Sequence, residues 1–204
     1  DGLSAGEAAM AEPLSVTLHA TRRAGEMLGK CVLVTGCGPI GALSILAQAA
    51  SSYGARPIVD EATVPTGFDP QAAALFEAVV EAAFLVANSD GVFDDDERAA
   101  FQSVVANACG DVVQRAQLDA LVADLCEQLA EDGTDKRARM IARTITKPEH
   151  QLEVLRIAAL MAHISGGVSQ QERVVLDQLA RGFGLPDGTV DSALEESEGV
   201  LAAS

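Results

Sequence analysis

The chain has 204 residues, of which 49% are hydrophobic and 3% aromatic with no Trp, and its net charge is −16. That length allows one good core or two modest domains, and an interior of Ala, Val and Leu with few aromatics points to closely packed helices. The charge is uneven: residues 1–58 carry four acids and four bases, and residues 59–204 carry 26 acids and ten bases, so the acidic part opposes nucleic acid and anionic membrane and favours cations or basic protein partners.

Residues 1–60 read differently from the rest. Cys31-Val32-Leu33-Val34-Thr35 is a short β-rich run, Gly36-Cys37-Gly38-Pro39-Ile40-Gly41 follows at once, and Ala42 to Ala50 forms helix. The order is strand, glycine turn, helix. Gly36, Gly38 and Gly41 would let the backbone approach a pyrophosphate at the helix N-terminus, and Asp60 stands about twenty residues on, where a ribose-binding acid belongs. Cys31 to Ala55 is free of charge, but Gly36, Gly38, Pro39, Gly41 and Gly54 interrupt it, which argues against a membrane helix. With no signal peptide visible and Cys31, Cys37, Cys109 and Cys126 forming no CxxC pair, free thiols in a cytoplasmic protein are expected.

Taken with Ala11-Glu12-Pro13-Leu14-Ser15-Val16, the VLVTGCGPIGAL segment resembles the start of the cofactor domain in the zinc-dependent medium-chain alcohol and polyol dehydrogenases. The resemblance implies NAD(P) as cofactor if the fragment is functional, Glu12 near a catalytic zinc, and Gly36, Gly38, Gly41 and Asp60 as the dinucleotide fingerprint. No Cys and His ligand set precedes the fragment, and no strand and helix alternation follows Asp60 to complete a sheet. Residues 1–60 are therefore expected to be a truncated, Rossmann-like remnant, since two strands cannot bury both faces of a parallel sheet.

Residues 61–67, with Pro65 and Gly67, form the expected linker, and Asp69-Pro70 opens a helical domain over 68–204. Phe76, Val79, Val80, Ala83, Phe84 and Ala87 keep an apolar stripe. It ends at Asp90-Gly91-Val92-Phe93-Asp94-Asp95-Asp96-Glu97-Arg98. A second version, Ser165-Gly166-Gly167-Val168-Ser169-Gln170-Gln171-Glu172-Arg173, returns 75 positions later, which predicts two related helix-turn-helix halves. Asp94 with Glu97, Ser169 with Glu172, and Thr146 with Glu149 read as capping boxes. The acidic run also suits the positive end of a helix dipole.

As a cation site the first turn would use Asp90, Asp94 and Glu97, with Glu81 as a fourth ligand. Hard oxygens favour Ca²⁺ or Mg²⁺. The EF-hand pattern fails, because Val92 replaces an acidic third ligand and Phe101 the twelfth-position glutamate.

The stretch from Phe68 to Leu185, through AFLVANSDGVFDDDERAAF and AALMAHISGGVSQQERVVL, resembles the TerB-like tellurite-resistance family of small acidic helical proteins. That resemblance implies a helical bundle associated with tellurite and stress resistance, binding metal or partners rather than catalysing. Ser165, Ser169, Gln170 and Gln171 stand where a symmetric second metal site would need acids.

Further helices are expected at 94–109, 114–131, 134–145, from the Thr146 cap to the second turn, 172–183, and 187–201, the last of them fraying. Lys136, Arg137, Arg139 and Arg143 read as a solvated face pairing with acidic neighbours. Leu152 to Met161, apolar on nearly all sides, should be the buried centre. His19, His150 and His163 read as surface, cap or packed residues. The fold class is mainly all-α, about seven helices after a truncated α/β fragment. The expected function is a non-catalytic acidic binding module requiring no cofactor, the alternatives being a dehydrogenase fragment or a plain scaffold.

Overall fold

The computed structural model describes residues 17, 19, 20, 23, 39–55, 69–91, 93–109, 112–164 and 167–202, and every regular element among them is helical. Eight helices have defined bounds: α1 Pro39–Gly54, α2 Pro70–Ala87, α3 Asp95–Cys109, α4 Arg115–Asp132, α5 Thr134–Thr144, α6 Pro148–Ile164, α7 Gln170–Phe183 and α8 Thr189–Ala202. The seven from α2 onward match the expected bundle. The expected strand Cys31–Thr35 and the linker 61–67 lie outside the described residues.

Local chemistry sets most boundaries. Asp69 Oδ1 accepts from the amides of Gln71 at 2.9 Å and Ala72 at 3.3 Å, with Pro70 at the first helical position. At α7 both arms of the Ser169/Glu172 box form: the Glu172 amide donates to Ser169 Oγ at 3.2 Å, and the Ser169 amide to Glu172 Oε2 at 2.7 Å. Gly133 (φ 74°) separates α4 from α5, and Gly184 (φ 69°) ends α7 in the left-handed region. The start of α6 falls differently from expectation. It opens at Pro148 with Lys147, not Thr146, immediately before it, because a proline is best placed where its missing N–H is not needed.

Two helices form the centre. The expected one is α6, where Val154, Leu155 and Ala158 are fully buried. The other is α2, buried from Leu75 through Val86 except at Glu77 rather than along one stripe. Its second face is covered by α1, whose Ala42, Leu43, Leu46, Ala49, Ala50 and Tyr53 belong to the same apolar core as α2 and α6. The helix after the glycine turn is thus part of the same core as the helices of residues 68–204. Likewise α8 is docked rather than loose over its described residues, burying Val190, Ala193 and Ser197 as it packs on α6. Of the described helices, α2 alone is long and apolar enough to cross a membrane, and 67% of it is buried inside the bundle.

Candidate functional site

The acidic turn between α2 and α3 is held from beneath by aromatic rings. Phe93 lies edge-on to Phe84, with centroids 5.1 Å apart, and 6.1 Å from Phe101, which also meets Phe84 at 6.1 Å. Phe84 and Phe101 are buried, so they fix the turn against the core. Gly91 (φ 81°) supplies the reversal, and Asp90, Asp94 and Asp95 are exposed. The guanidinium of Arg98 lies 5.8 Å from the Phe93 ring centroid and donates to Cys126 Sγ at 3.6 Å, tying the turn to α4.

Of the four residues expected to ligate a cation, Asp90 and Asp94 flank this turn and Glu97 lies in the first turn of α3, its side chain outside the described residues. Glu81 points elsewhere. Its Oε1 accepts from Arg137 Nε at 2.6 Å, with side-chain exposures of 11% and 9%, and Arg137 also meets Asp132 at 3.3 Å. Among the described residues no group of three or more His, Cys, Asp or Glu gathers as a metal site. Of the expected dinucleotide fingerprint, Gly36, Gly38 and Asp60 lie outside the described residues, and Gly41 falls in the first turn of α1.

Two buried ion-pair clusters were not read from the sequence. Glu81 on α2 meets Arg137 on α5, with Asp132 at the end of α4. Arg156 on α6 donates to Glu196 of α8 at 2.9 and 3.4 Å and to Glu153 at 3.1 Å. Glu81 and Arg156 occupy equivalent positions in the two halves, 75 residues apart, with opposite charge. The sequence signal was a charge inside an apolar run at the repeat distance. Burial pushes the Glu81 and Glu153 carboxyls above their ordinary range, opposed by Arg137 and Arg156 respectively. Burial also works against the charge of Arg137, but Glu81 and Asp132 together outweigh it and hold the guanidinium charged.

The remaining reactive groups are quiet. Burial pushes the Cys109 thiol up to about 12, which makes it a packing group rather than a nucleophile. Burial, followed by Lys147, lowers His150, and His163 Nε2 lies 3.1 Å from the Leu194 carbonyl, joining α6 to α8. As expected of the basic helix, Lys136 pairs with Asp132 and Arg139 with Asp135 on its exposed side. Arg137 is the exception, being buried.

A bundle that is all-helical over its described residues agrees with the sequence resemblance. The family described as tellurite resistance protein TerB matches residues 76–195, more than half of the sequence. The chain belongs to that family. The TerB match covers α2 from Phe76 through the first half of α8, including the acidic turn, the Glu81–Arg137–Asp132 cluster and the Glu153–Arg156 pair, and it ends one residue before Glu196. A second likeness is short. The chain is 52% identical over 59 residues to sorbitol dehydrogenase of Bos taurus, covering 29% of this chain and 16% of that enzyme. It is 55% identical over 53 residues to L-arabinitol 4-dehydrogenase of Penicillium rubens, covering 26% and 13%. L-idonate 5-dehydrogenase (NAD(P)(+)) of Escherichia coli is 49% identical over 51 residues, covering 25% and 14%. The chain thus spans less than a fifth of the length of these curated relatives. These matches agree with the polyol-dehydrogenase resemblance of residues 1–60. No solved structure matches the chain.

Proposed function

We propose that the chain is a non-catalytic, cytoplasmic TerB module of the tellurite-resistance and stress-response type, whose acidic surface takes basic protein partners or hard metal cations. The observation that carries this reading is how the charges are divided. Arg137 and Arg156 neutralise acids in the interior, while Lys136, Arg115, Arg139 and Arg173 pair with neighbouring acids. Asp124, Glu127 and Glu131 share one exposed face of α4, and none forms an ion pair among the described residues. A net charge of −16 displayed in this way attracts cations over a distance of about a Debye length, ~8 Å at physiological salt.

Within this reading metal would be held at the first turn by Asp90, Asp94 and Glu97, the Glu81 carboxylate being engaged by Arg137. Calorimetric titration of Ca²⁺, Mg²⁺ and a lysine-rich peptide tests both arms. Peptide heat should fall with added salt and disappear with Asp124→Asn, Glu127→Gln and Glu131→Gln combined. Metal heat should disappear with Asp90→Asn plus Asp94→Asn. Flat traces for all three titrants leave the plain scaffold.

The 52% identity over 59 residues favours one other reading, a piece of an NAD(P)-dependent polyol dehydrogenase. Saturable NAD(P) binding abolished by Gly38→Asp would support it.

A further inference from the structure

We infer that the groove between α2, α3 and α6 is a helix-docking site of the TerB bundle, and that residues 39–54, at the end of the dehydrogenase-like segment, are its occupant in cis. The family match begins at residue 76, within α2, so α1 lies outside the TerB segment whose core it covers. In a doubly wound fold the helix after a glycine turn covers a parallel sheet. Here the same apolar helix covers other helices.

The interface has a defined register. Leu43 and Leu46 of α1 share a cavity of ≈ 20 Å³ with Val80 of α2, Val105 of α3, and Ile157 and Leu160 of α6. That volume is no more than about one water's room, so the fit is close. Small residues allow the approach: Ala42 and Ala50 are fully buried. The Tyr53 ring lies 4.7 Å from that of Phe76. At the end of α1 the backbone of Gly54 meets the segment before α4 so closely that a Cβ would stand 2.1 Å from the Val112 carbonyl oxygen. Gln117 Nε2 donates to the Gly54 carbonyl at 3.4 Å. A loosely adhering apolar helix needs no glycine at one fixed point; a docked one does, because only glycine permits that backbone contact. The assignment goes beyond the family reading and does not depend on what the acidic surface binds.

The test uses the full chain with a protease recognition sequence placed between Pro65 and Thr66 and cut after folding. The two pieces should elute together on size exclusion, and an added peptide of residues 38–55 should exchange with the resident one. Gly54→Ala should weaken the association at least tenfold. Ser51→Ala, whose lost hydroxyl bonds only back to the Ala47 carbonyl at 3.3 Å, should leave it unchanged. Pieces that part while the larger one keeps the helicity and melting midpoint of the uncut chain would overturn the proposal. An uncut dimer that exchanges α1 between labelled copies would assign the groove to a second copy and overturn the cis occupant. Where Gly54→Ala does not fold, amide hydrogen exchange of the unaltered chain decides. Protection over 42–54 equal to that over 75–86 upholds docking, and free exchange over 42–54 refutes it.

Discussion

Replacing Arg137 by Met keeps most of the volume of the side chain and removes its charge, leaving the Glu81 carboxylate inside the bundle without its partner. Removing one member of a buried ion pair costs about 3–5 kcal/mol, because the remaining charge is neither hydrated nor compensated. The lower end applies here, about 3 kcal/mol, since both side chains retain about a tenth of their exposure and Asp132 keeps Lys136 at 2.5 Å. For a protein of this size each kcal/mol moves the melting midpoint by roughly 2–4 °C, so a drop of about 6–12 °C is expected at pH 7.

The pH dependence has a definite sign. Burial already raises the Glu81 carboxyl despite Arg137, and without Arg137 it rises further. A group whose folded value lies above its unfolded value, about 4.3 for Glu, contributes most below that unfolded value and loses the contribution as pH rises through the folded one. The deficit of the variant against the parent should therefore shrink between pH 7 and pH 5. Glu81→Leu combined with Arg137→Met should recover most of the loss at pH 7. Circular dichroism melts of the parent, both single variants and the double at the two pH values provide the measurement. A midpoint drop under about 3 °C, a deficit indifferent to pH, or a double variant worse than Arg137→Met would refute the account.

Phe84→Ala removes the ring against which Phe93 and Phe101 stack at 5.1 and 6.1 Å and should cost about 3–5 kcal/mol in denaturant unfolding. Loss of hydrogen-exchange protection should be concentrated around residues 93–101. Asp69→Ala and Ser169→Ala each remove a formed N-cap and should cost about 1 kcal/mol. Ser169→Ala combined with Glu172→Ala should show a larger loss than Ser169→Ala alone, because the amide of residue 169 then also loses its Glu172 acceptor at 2.7 Å; equal losses would mean that the box adds nothing beyond a single cap.

Helix boundaries were legible wherever a residue type has one local use: Asp69 before Pro70, Ser169 three before Glu172, and Gly133 between two helices. The central position of α6 was legible for the same kind of reason, since a helix apolar all round has no face to show water. What an apolar face packs against is not local information. The face of α1 carrying Leu43 and Leu46 suits a sheet as well as a groove between helices, so its glycine turn drew the reading toward a nucleotide fold, while its packing against α2 depends on residues such as Phe76 that are distant in the sequence. Buried charges failed for a related reason. From the sequence Glu81 reads as a cation ligand and Arg156 takes no role, because burial of a lone charge is costly and the partners that make it tolerable, Arg137 and Glu196, lie 56 and 40 residues away.

The opposite charges at those equivalent positions bear on how two similar halves avoid exchanging roles. α2 and α6 are both apolar helices ending at related turns, and hydrophobic complementarity alone distinguishes them weakly. At the same place each carries a buried charge, Glu81 on α2 and Arg156 on α6, and each charge is answered from a different helix: α5, between the halves, answers Glu81, and α8, after them, answers Arg156, which also pairs with Glu153 on its own helix. Were α2 to take the place of α6, Glu81 would face Glu196 of α8 without a cation, and Arg156, carrying Glu153 with it, would face Arg137. Both arrangements bury like charges. A wrong arrangement is therefore penalised by several kcal/mol even where the native pair contributes little net stability. On this argument the Glu81→Leu and Arg137→Met double variant keeps most of its stability yet loses that discrimination, and its fault would appear as slower or heterogeneous refolding rather than as a lower melting midpoint.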